Sequence, residues 1–211
     1  FKARVAQHVR LGLDDRKPML LWAADKLARQ VEDWLRESPG VTAIERTGGL
    51  RRRKETVEQL DFLFKSRSPT AVWERFLTFG PVQQAEPRQG NSRTFVLSLG
   101  RHVRLTWSAA RRWGTTLVEE TGSPAHVAAL RALAGGEGRL VESASEASVY
   151  RRLALPLIEP ELREGRGEIE AASQKALPQL VSRADLRGDL HMHTTASDGA
   201  NSLDEMAEAA R

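Results

Sequence analysis

The chain has 211 residues, of which 40% are hydrophobic and 28% are charged, a balance that is typical of a soluble globular protein with one large or two small domains. It contains no cysteine, which excludes a disulfide framework, a thiolate zinc site and a cysteine nucleophile, and favours the cytoplasm. The net charge of +4 does not by itself establish nucleic-acid binding, and no apolar run approaches the length of a membrane span.

The two ends of the chain indicate a piece of a longer protein. The first residue is Phe1 rather than Met, and the first ten residues are not a signal sequence. The last nine, LDEMAEAAR, follow a helical pattern that stops short. We therefore expect a fragment of a longer protein.

The first elements alternate between helix and strand. Apolar residues recur at helical spacing over residues 19 to 37, directly after Pro18. VTAIERTGG then predicts a strand that ends in a glycine turn, and the apolar run EQLDFLF follows. A second helix is expected from about Pro69 to Phe79, because proline favours the first turn of a helix.

The middle of the chain predicts more strands and then two helices. VQQAE and RTFVLSLG resemble the two strands of a hairpin around RQGNS, and RHVRLTW alternates as a further strand. Helices are expected over residues 109 to 120 and 124 to 134.

Glycines mark the next change in pattern. Gly135, Gly136 and Gly138 interrupt the helical pattern, and we place a domain boundary near them. Residues 139 to 187 are polar, but apolar residues recur throughout, so we predict an ordered linker with a short helix near SEASVYRRLAL.

The segment GGLRRRKETVEQLDFLF has the layout of a nucleotidyltransferase site. In such a site a strand ends in a turn of small residues whose backbone N–H groups hold phosphate. The next strand carries acids at positions i and i+2, which point to one face and hold two Mg²⁺ ions.

With this layout the chain resembles the bacterial family X DNA polymerases that carry a C-terminal PHP (polymerase and histidinol phosphatase) domain. The family pattern is close to GSxRRxKETVGDxD, and this chain reads GGLRRRKETVEQLD from Gly48 to Asp61. The resemblance implies that Gly48, Gly49, Arg51 and Arg52 bind phosphate, with Gly49 in place of the family's serine.

Of the family's three metal-binding aspartates, we expect one to remain. The first falls on Gln59, the second is Asp61, and the third falls on Arg104. A guanidinium at that position repels Mg²⁺ and is expected to pair with Asp61. Glu58 does not replace Gln59 unless a β-bulge turns it inward, because residues i and i+3 of a strand face opposite sides. We therefore predict an inactive polymerase site without Mg²⁺ or dNTP.

A second family motif, TGSxxHN, follows an aromatic pair and contacts the incoming nucleotide and its sugar. The resemblance assigns this role to four residues, Thr121, Gly122, Ser123 and His126. Glu119 and Glu120 stand where the family has the aromatic pair. Two acids beside a triphosphate disfavour its binding through like-charge repulsion.

The segment LPLIEPELREGRGEIEAA closely resembles the family's linker to the PHP domain, and here it leads to GDLHMHTTASDG. In the latter, a short strand is expected to place His191 and His193 on one face, where imidazoles bind divalent metals. Asp198 follows in a loop as a further oxygen ligand, and Asp189 is near enough to accept a hydrogen bond from a histidine N–H. A capping box at Ser202 predicts that a helix begins there.

This resemblance implies that His191, His193 and Asp198 are part of a trinuclear site, often of Mn²⁺ or Zn²⁺. In the family that site activates water for 3′→5′ exonuclease or 3′-phosphatase chemistry. The other ligands belong to later barrel strands, so we do not expect this chain alone to bind metal tightly.

The predicted fold class is α+β, with a nucleotidyltransferase-like palm whose mixed β-sheet is flanked by helices, a small thumb, a linker and the first strand and helix of a TIM-like PHP barrel. The expected boundaries are 1–38 for the end of a fingers-like helical region, 39–107 for the palm, 108–138 for the thumb, 139–187 for the linker and 188–211 for the start of the PHP domain.

The expected function is that of a DNA-repair homologue whose degraded palm and thumb hold gapped DNA or 3′ ends while the PHP domain of the parent protein carries the chemistry. RRRK and Arg111-Arg112 are the expected phosphate contacts, with binding that weakens as salt rises. Two alternatives remain, namely a non-catalytic scaffold or interaction module, and a PHP phosphoesterase that acts on a small molecule.

Overall fold

The computed structural model describes residues 18–135, 139–188 and 191–210. The chain divides into two compact units, the first up to Leu177 and the second from Pro178. Within the described ranges, no helix combines the length and the apolar character that are needed to cross a bilayer. The predictions that concern residues 1–17, Gly136, Gly138 and Asp189 lie outside the described residues.

A five-stranded mixed sheet forms the centre of the first unit, in agreement with the predicted class. Its strands are β2 (Val41–Thr47), β4 (Gln59–Ser66), β5 (Val82–Ala85), β6 (Ser92–Leu97) and β7 (Arg101–Trp107), in the order β2-β4-β7-β6-β5. β4 and β7 are parallel, whereas the other neighbouring pairs are antiparallel. The hairpin of β5 and β6 and the strand RHVRLTW are therefore confirmed.

Two helices cover the sheet. They are α1 (Leu21–Arg36) and α3 (Pro69–Phe76), separated along the chain by the single turn α2 (Gly48–Arg51). A short pair of strands, β1 (Met19–Leu20) and β3 (Thr56–Val57), lies beside the start of α1.

Helix α1 shares its core with the sheet. Ala24, Ala28, Val31 and Leu35 follow the helical repeat and are buried together with the apolar residues of β4 and β7. Helix α1 and the sheet therefore share one core across residue 38, and the expected division into a fingers-like region and a palm stays a prediction.

A second core lies among the helices that follow the sheet. They are α4 (Trp113–Thr121), α5 (Pro124–Ala134), α6 (Glu146–Arg152) and α7 (Glu168–Ser173). Val118 and Leu130 from the thumb region are buried in the same cluster as Tyr150, Ile158 and Ile169 from the expected linker. Apolar residues of the expected linker therefore share a core with the helices of the expected thumb, and the predicted domain bounds stay predictions.

Two glycines explain how closely these segments approach one another. A Cβ atom at Gly114 would lie 2.1 Å from the backbone carbonyl carbon of Ser145. Gly165 has a φ of +73°, and a Cβ there would lie 2.5 Å from the Cβ of Ala125. Gly114, at the start of α4, and Gly165, beside α5, thus lie closer to the neighbouring segment than a residue with a side chain could.

The second unit contains a 3₁₀ turn (Arg183–Asp185) and the helix α8 (Leu203–Ala209). Ser202 and Glu205 form the predicted capping box at the start of α8. The predicted strand is not present in its described part, residues 191–193. A strand is held by hydrogen bonds to a neighbour, and within the described residues none of the strands pairs with this segment.

Candidate functional site

The glycine turn lies directly over Asp61. β2 ends at Thr47, and Gly48 follows with a φ of +59°. A Cβ atom at Gly48 would meet Oδ2 of Asp61 at 2.4 Å, so the turn and the acid approach each other only because residue 48 is glycine. The structure therefore brings together the turn and the acid that the sequence motif predicts.

Asp61 is engaged by a guanidinium. Arg104 lies opposite Asp61 in the parallel register of β4 and β7, and its Nε donates a hydrogen bond to Oδ1 of Asp61 at 2.8 Å. The side-chain amide of Gln59 donates to the same oxygen at 2.6 Å. The ion pair that the sequence predicts is confirmed.

Glu120 completes this cluster from helix α4. Nη2 of Arg104 donates to Oε2 of Glu120 at 2.8 Å, so one guanidinium bridges two acids. Burial by itself lowers the pKa of Arg104, but Asp61 and Glu120 outweigh it and the net shift is upward. Burial raises the pKa of Glu120, against the opposing effect of Arg104. A single guanidinium is thus shared by two carboxylates in this cluster.

Glu58 does not take the place of the missing first aspartate. It lies between β3 and β4 and is exposed. Gln59, which occupies the family's first acidic position, is neutral and is already bonded to Asp61.

Arg51 and Arg52 have partners within the protein. Arg51 makes a two-pronged contact with Glu146, from Nη1 to Oε1 at 2.8 Å and from Nη2 to Oε2 at 2.6 Å. Arg52 donates from Nε to Glu164 at 2.7 Å and from Nη1 to the carbonyl oxygen of Thr121 at 2.7 Å. Their expected role in phosphate binding stays a prediction, and any phosphate must compete with these carboxylates.

The residues of the TGSxxH motif lie inside the protein. Thr121 and His126 have no exposed surface, and Ser123 is buried, where its hydroxyl accepts a hydrogen bond from the backbone N–H of His126 and caps helix α5. A Cβ at Gly122 would lie 2.9 Å from the His126 ring. Ser123 and His126 hold the start of α5 in this position, and the nucleotide contact that the motif leads us to expect stays a prediction.

His126 is fixed at both ring nitrogens. Nδ1 lies 2.6 Å from Oε1 of Glu168, and Nε2 lies 2.9 Å from the hydroxyl of Tyr150. Burial lowers the pKa of His126, and the opposing effect of Glu168 does not restore it. Because Glu168 also accepts hydrogen bonds from the N–H groups of Gly165 and Arg166, the imidazole anchors the expected linker to the thumb.

Arg163 is a central residue that the sequence did not single out. Its side chain is fully buried, with Nε donating to the carbonyl oxygen of Ile158 at 2.8 Å and Nη1 to Glu146 at 2.5 Å. Burial raises the pKa of Glu146, but Arg51 and Arg163 outweigh it and the net shift is downward. The signal available in the sequence was its place in LPLIEPELREGRGEIEAA, the segment that resembles the family's linker.

In the second unit the three predicted metal ligands lie close together. Nδ1 of His193 is 2.5 Å from Oδ1 of Asp198, and Nε2 of His193 is 3.4 Å from Nε2 of His191. Gly199 allows the loop to curl back, since a Cβ there would lie 2.4 Å from the carbonyl carbon of His193.

The spacing of His191 and His193 is compatible with two nitrogen ligands of one metal ion, with Asp198 as a supporting acid. Two nitrogens about 2.0–2.1 Å from a tetrahedral Zn²⁺ lie about 3.4 Å apart, close to the separation of the two Nε2 atoms. Asp198 bonds the opposite nitrogen of His193, so its carboxylate orients the imidazole instead of facing the space between the two Nε2 atoms. Among the described residues, no group of three or more His, Cys, Asp or Glu side chains is arranged to hold a metal ion.

Comparison with known proteins gives one informative similarity. The chain is 31% identical over 200 residues to the DNA polymerase/3′-5′ exonuclease PolX of Bacillus subtilis (strain 168), which covers 87% of this chain and 35% of that protein. The chain thus spans about a third of the length of this relative. No protein-family model matches the chain. The similarity confirms the resemblance to bacterial family X polymerases.

Proposed function

We propose that this chain is part of a DNA-repair protein related to family X polymerases, and that its palm holds DNA but does not add nucleotides. The observation that carries the proposal is the bridge from Arg104 to Asp61 and Glu120. The bridge supports the proposal because it bonds a guanidinium to Asp61, the acid that the family resemblance assigns to metal binding.

Two-metal phosphoryl transfer requires carboxylates that hold two cations on the attacking and leaving oxygens. Here one of the three expected acids remains, and Arg104 already neutralises it. Gln59 adds no charge, and a divalent ion in this position would face the guanidinium directly. These features support a palm without Mg²⁺ and without dNTP.

DNA binding in this proposal depends on cations at the surface rather than on the buried ones. The side chains of Arg53 and Arg111 are 71% and 80% exposed, and each pairs with a solvent-accessible acid, Glu161 and Glu142 respectively. Such surface pairs contribute about 0–1 kcal/mol, so phosphate groups of DNA can replace the acids at little cost.

His191 and His193 are proposed as two nitrogen ligands of a divalent metal, Mn²⁺ or Zn²⁺, in the complete protein. A metal there would supply Lewis acidity toward a phosphate ester. Within this chain, Asp198 holds the His193 ring in one orientation, which leaves Nε2 directed towards His191. This supports a parent protein with PHP-type 3′→5′ exonuclease or 3′-phosphatase chemistry.

Binding of a fluorescent gapped duplex, measured by anisotropy over a salt series, tests the proposal. We expect affinity to fall steeply with salt, together with no Mg²⁺- or Mn²⁺-dependent insertion of a nucleotide at the gap. Robust insertion would contradict the loss of polymerase chemistry. No binding of the duplex, or binding whose affinity does not change with salt, would favour a scaffold instead.

A further inference from the structure

We infer that Glu164 is an internal carboxylate that occupies an anion-binding position beside the glycine turn, so that phosphate reaches Arg52 only by displacing it. This rests on the proposed phosphate-binding role of the turn and adds a means of regulating it.

The first argument is the position of the two carboxylate oxygens. Oε1 of Glu164 lies 2.7 Å from Nε of Arg52, and Oε2 lies 3.8 Å from Nζ of Lys54. Each oxygen therefore faces a different cation of the RRRK run that follows the glycines. A phosphate group presents its oxygens to arginine and lysine in the same way.

The second argument is that the guanidinium is oriented independently of Glu164. Nη1 of Arg52 donates to the carbonyl oxygen of Thr121 at 2.7 Å, and this bond does not involve the carboxylate. Removal of the negative charge at residue 164 would thus leave an aligned guanidinium with uncommitted donors. A preorganised donor of this kind loses little freedom when an anion binds.

The third argument separates Glu164 from Glu146. Glu146 begins helix α6, contacts two guanidinium groups and is held by Arg163, whose side chain is fully buried. Glu164 instead pairs with Arg52 and with Lys54, and the Lys54 side chain is 46% exposed. Glu146 is therefore structural, whereas Glu164 is the carboxylate that a ligand can displace.

Inorganic triphosphate is a suitable probe, because it carries phosphate charge without a base or sugar. Its binding is measured by calorimetry at low salt for two proteins, the unaltered 211-residue chain (called the parent chain) and the isosteric variant Glu164→Gln. We expect the variant to bind about tenfold more tightly, since one charge-assisted hydrogen bond no longer competes.

Glu161→Gln is the matched control, because its partner Arg53 is 71% exposed and 3.3 Å away, so we expect a change of less than about twofold. Equal affinities for the parent and a folded Glu164→Gln variant would overturn the inference.

A second measurement needs no variant and covers the case in which Glu164→Gln does not fold. The Nε–H resonance of Arg52 in the parent is followed by NMR during a triphosphate titration. A saturable shift supports exchange of carboxylate for phosphate, and an unchanged resonance at saturating triphosphate opposes it. Failure to bind gapped DNA would contradict the proposed function but leave this result standing.

Discussion

Arg104 and Asp61 lie opposite each other on two parallel strands, with Nε of Arg104 2.8 Å from Oδ1 of Asp61. Strand register alone places them together. Gln59, the first residue of β4, pairs with His102 of β7, so Asp61 pairs with Arg104 two residues further along. At residue 104, where the family resemblance leads us to expect a metal-binding carboxylate, this chain carries a positively charged side chain. The ion pair is therefore built into the sheet.

Replacement of Arg104 by alanine should destabilise the protein. Asp61 and Glu120 would lose their shared cation while both remain mostly buried. Because the Arg104 side chain is 34% exposed and solvent screens part of the loss, we expect a decrease of about 1–2 kcal/mol in the free energy of unfolding. Urea denaturation measures it, and Arg111→Ala, at an 80% exposed side chain, should change stability by less than about 0.5 kcal/mol. Equal losses would refute a special role for Arg104.

Restoring the acids should restore metal binding. In a variant with Gln59→Asp, Arg104→Asp and Gly49→Ser, three carboxylates including Asp61 would replace one. A Cβ at Gly49 would lie 3.5 Å from the nearest atom, in Lys54, so the serine fits. We expect calorimetry to detect Mn²⁺ binding and primer extension on a gapped template to detect weak insertion. The neutral variant Gln59→Asn with Arg104→Asn is the control, and equal behaviour of both variants would contradict the prediction.

Stability should fall at mildly acidic pH because of His126. Burial holds its pKa in the folded state below the ordinary value of 6.5. The unfolded chain therefore takes up a proton first as pH decreases, so the stabilisation is complete above pH 6.5 and is lost as pH falls through the folded pKa. Urea denaturation between pH 7.5 and about pH 5 measures this slope. In His126→Gln the part of the slope due to His126 should vanish, and a slope identical to the parent's would contradict the assignment.

The lowered pKa values of Glu146 and Glu168 produce a separate loss at lower pH. Each carboxylate stabilises the fold above its ordinary value of 4.5, and that contribution disappears as pH falls through the folded pKa. A denaturation series that continues to about pH 3 should therefore show a second decline. The Glu146→Gln variant should show a smaller one.

Gly114→Ala tests whether the segment after residue 139 is an integral part of the first unit. The added methyl group would lie 2.1 Å from the backbone of Ser145, so the segment must move away. We expect a loss of about 3 kcal/mol, measured by urea denaturation. Gly80→Ala is the matched control, since nothing lies within 4 Å of the added atom. A small and equal effect of the two substitutions would show that the packing at Gly114 is not tight.

The sequence predicts the order of elements well wherever local periodicity carries the signal. The helix expected over residues 124–134 matches α5, and the one expected over 19–37 matches α1 within two residues at each end. The pairing of Arg104 with Asp61 was also predictable, because the family motif fixes which strand positions face the turn.

Contacts between distant parts of the chain were not predictable in this way. Arg51 and Glu146 are 95 positions apart, and no local pattern reports that they meet. Burial of His126 depends on Tyr150 and Glu168 from the expected linker. The missing strand at residues 191–193 has the same origin, since alternation describes the faces of a strand but not whether a neighbour pairs with it.

The bridge formed by Arg104 has one more consequence. A metal ion exchanges with solution, so a palm that depends on one loses its central charge whenever a chelator or a shortage removes the ion. A guanidinium attached to the backbone of β7 cannot dissociate. The ion pairs that Arg104 makes with Asp61 and Glu120 are therefore part of the polypeptide itself and need no divalent ion to form.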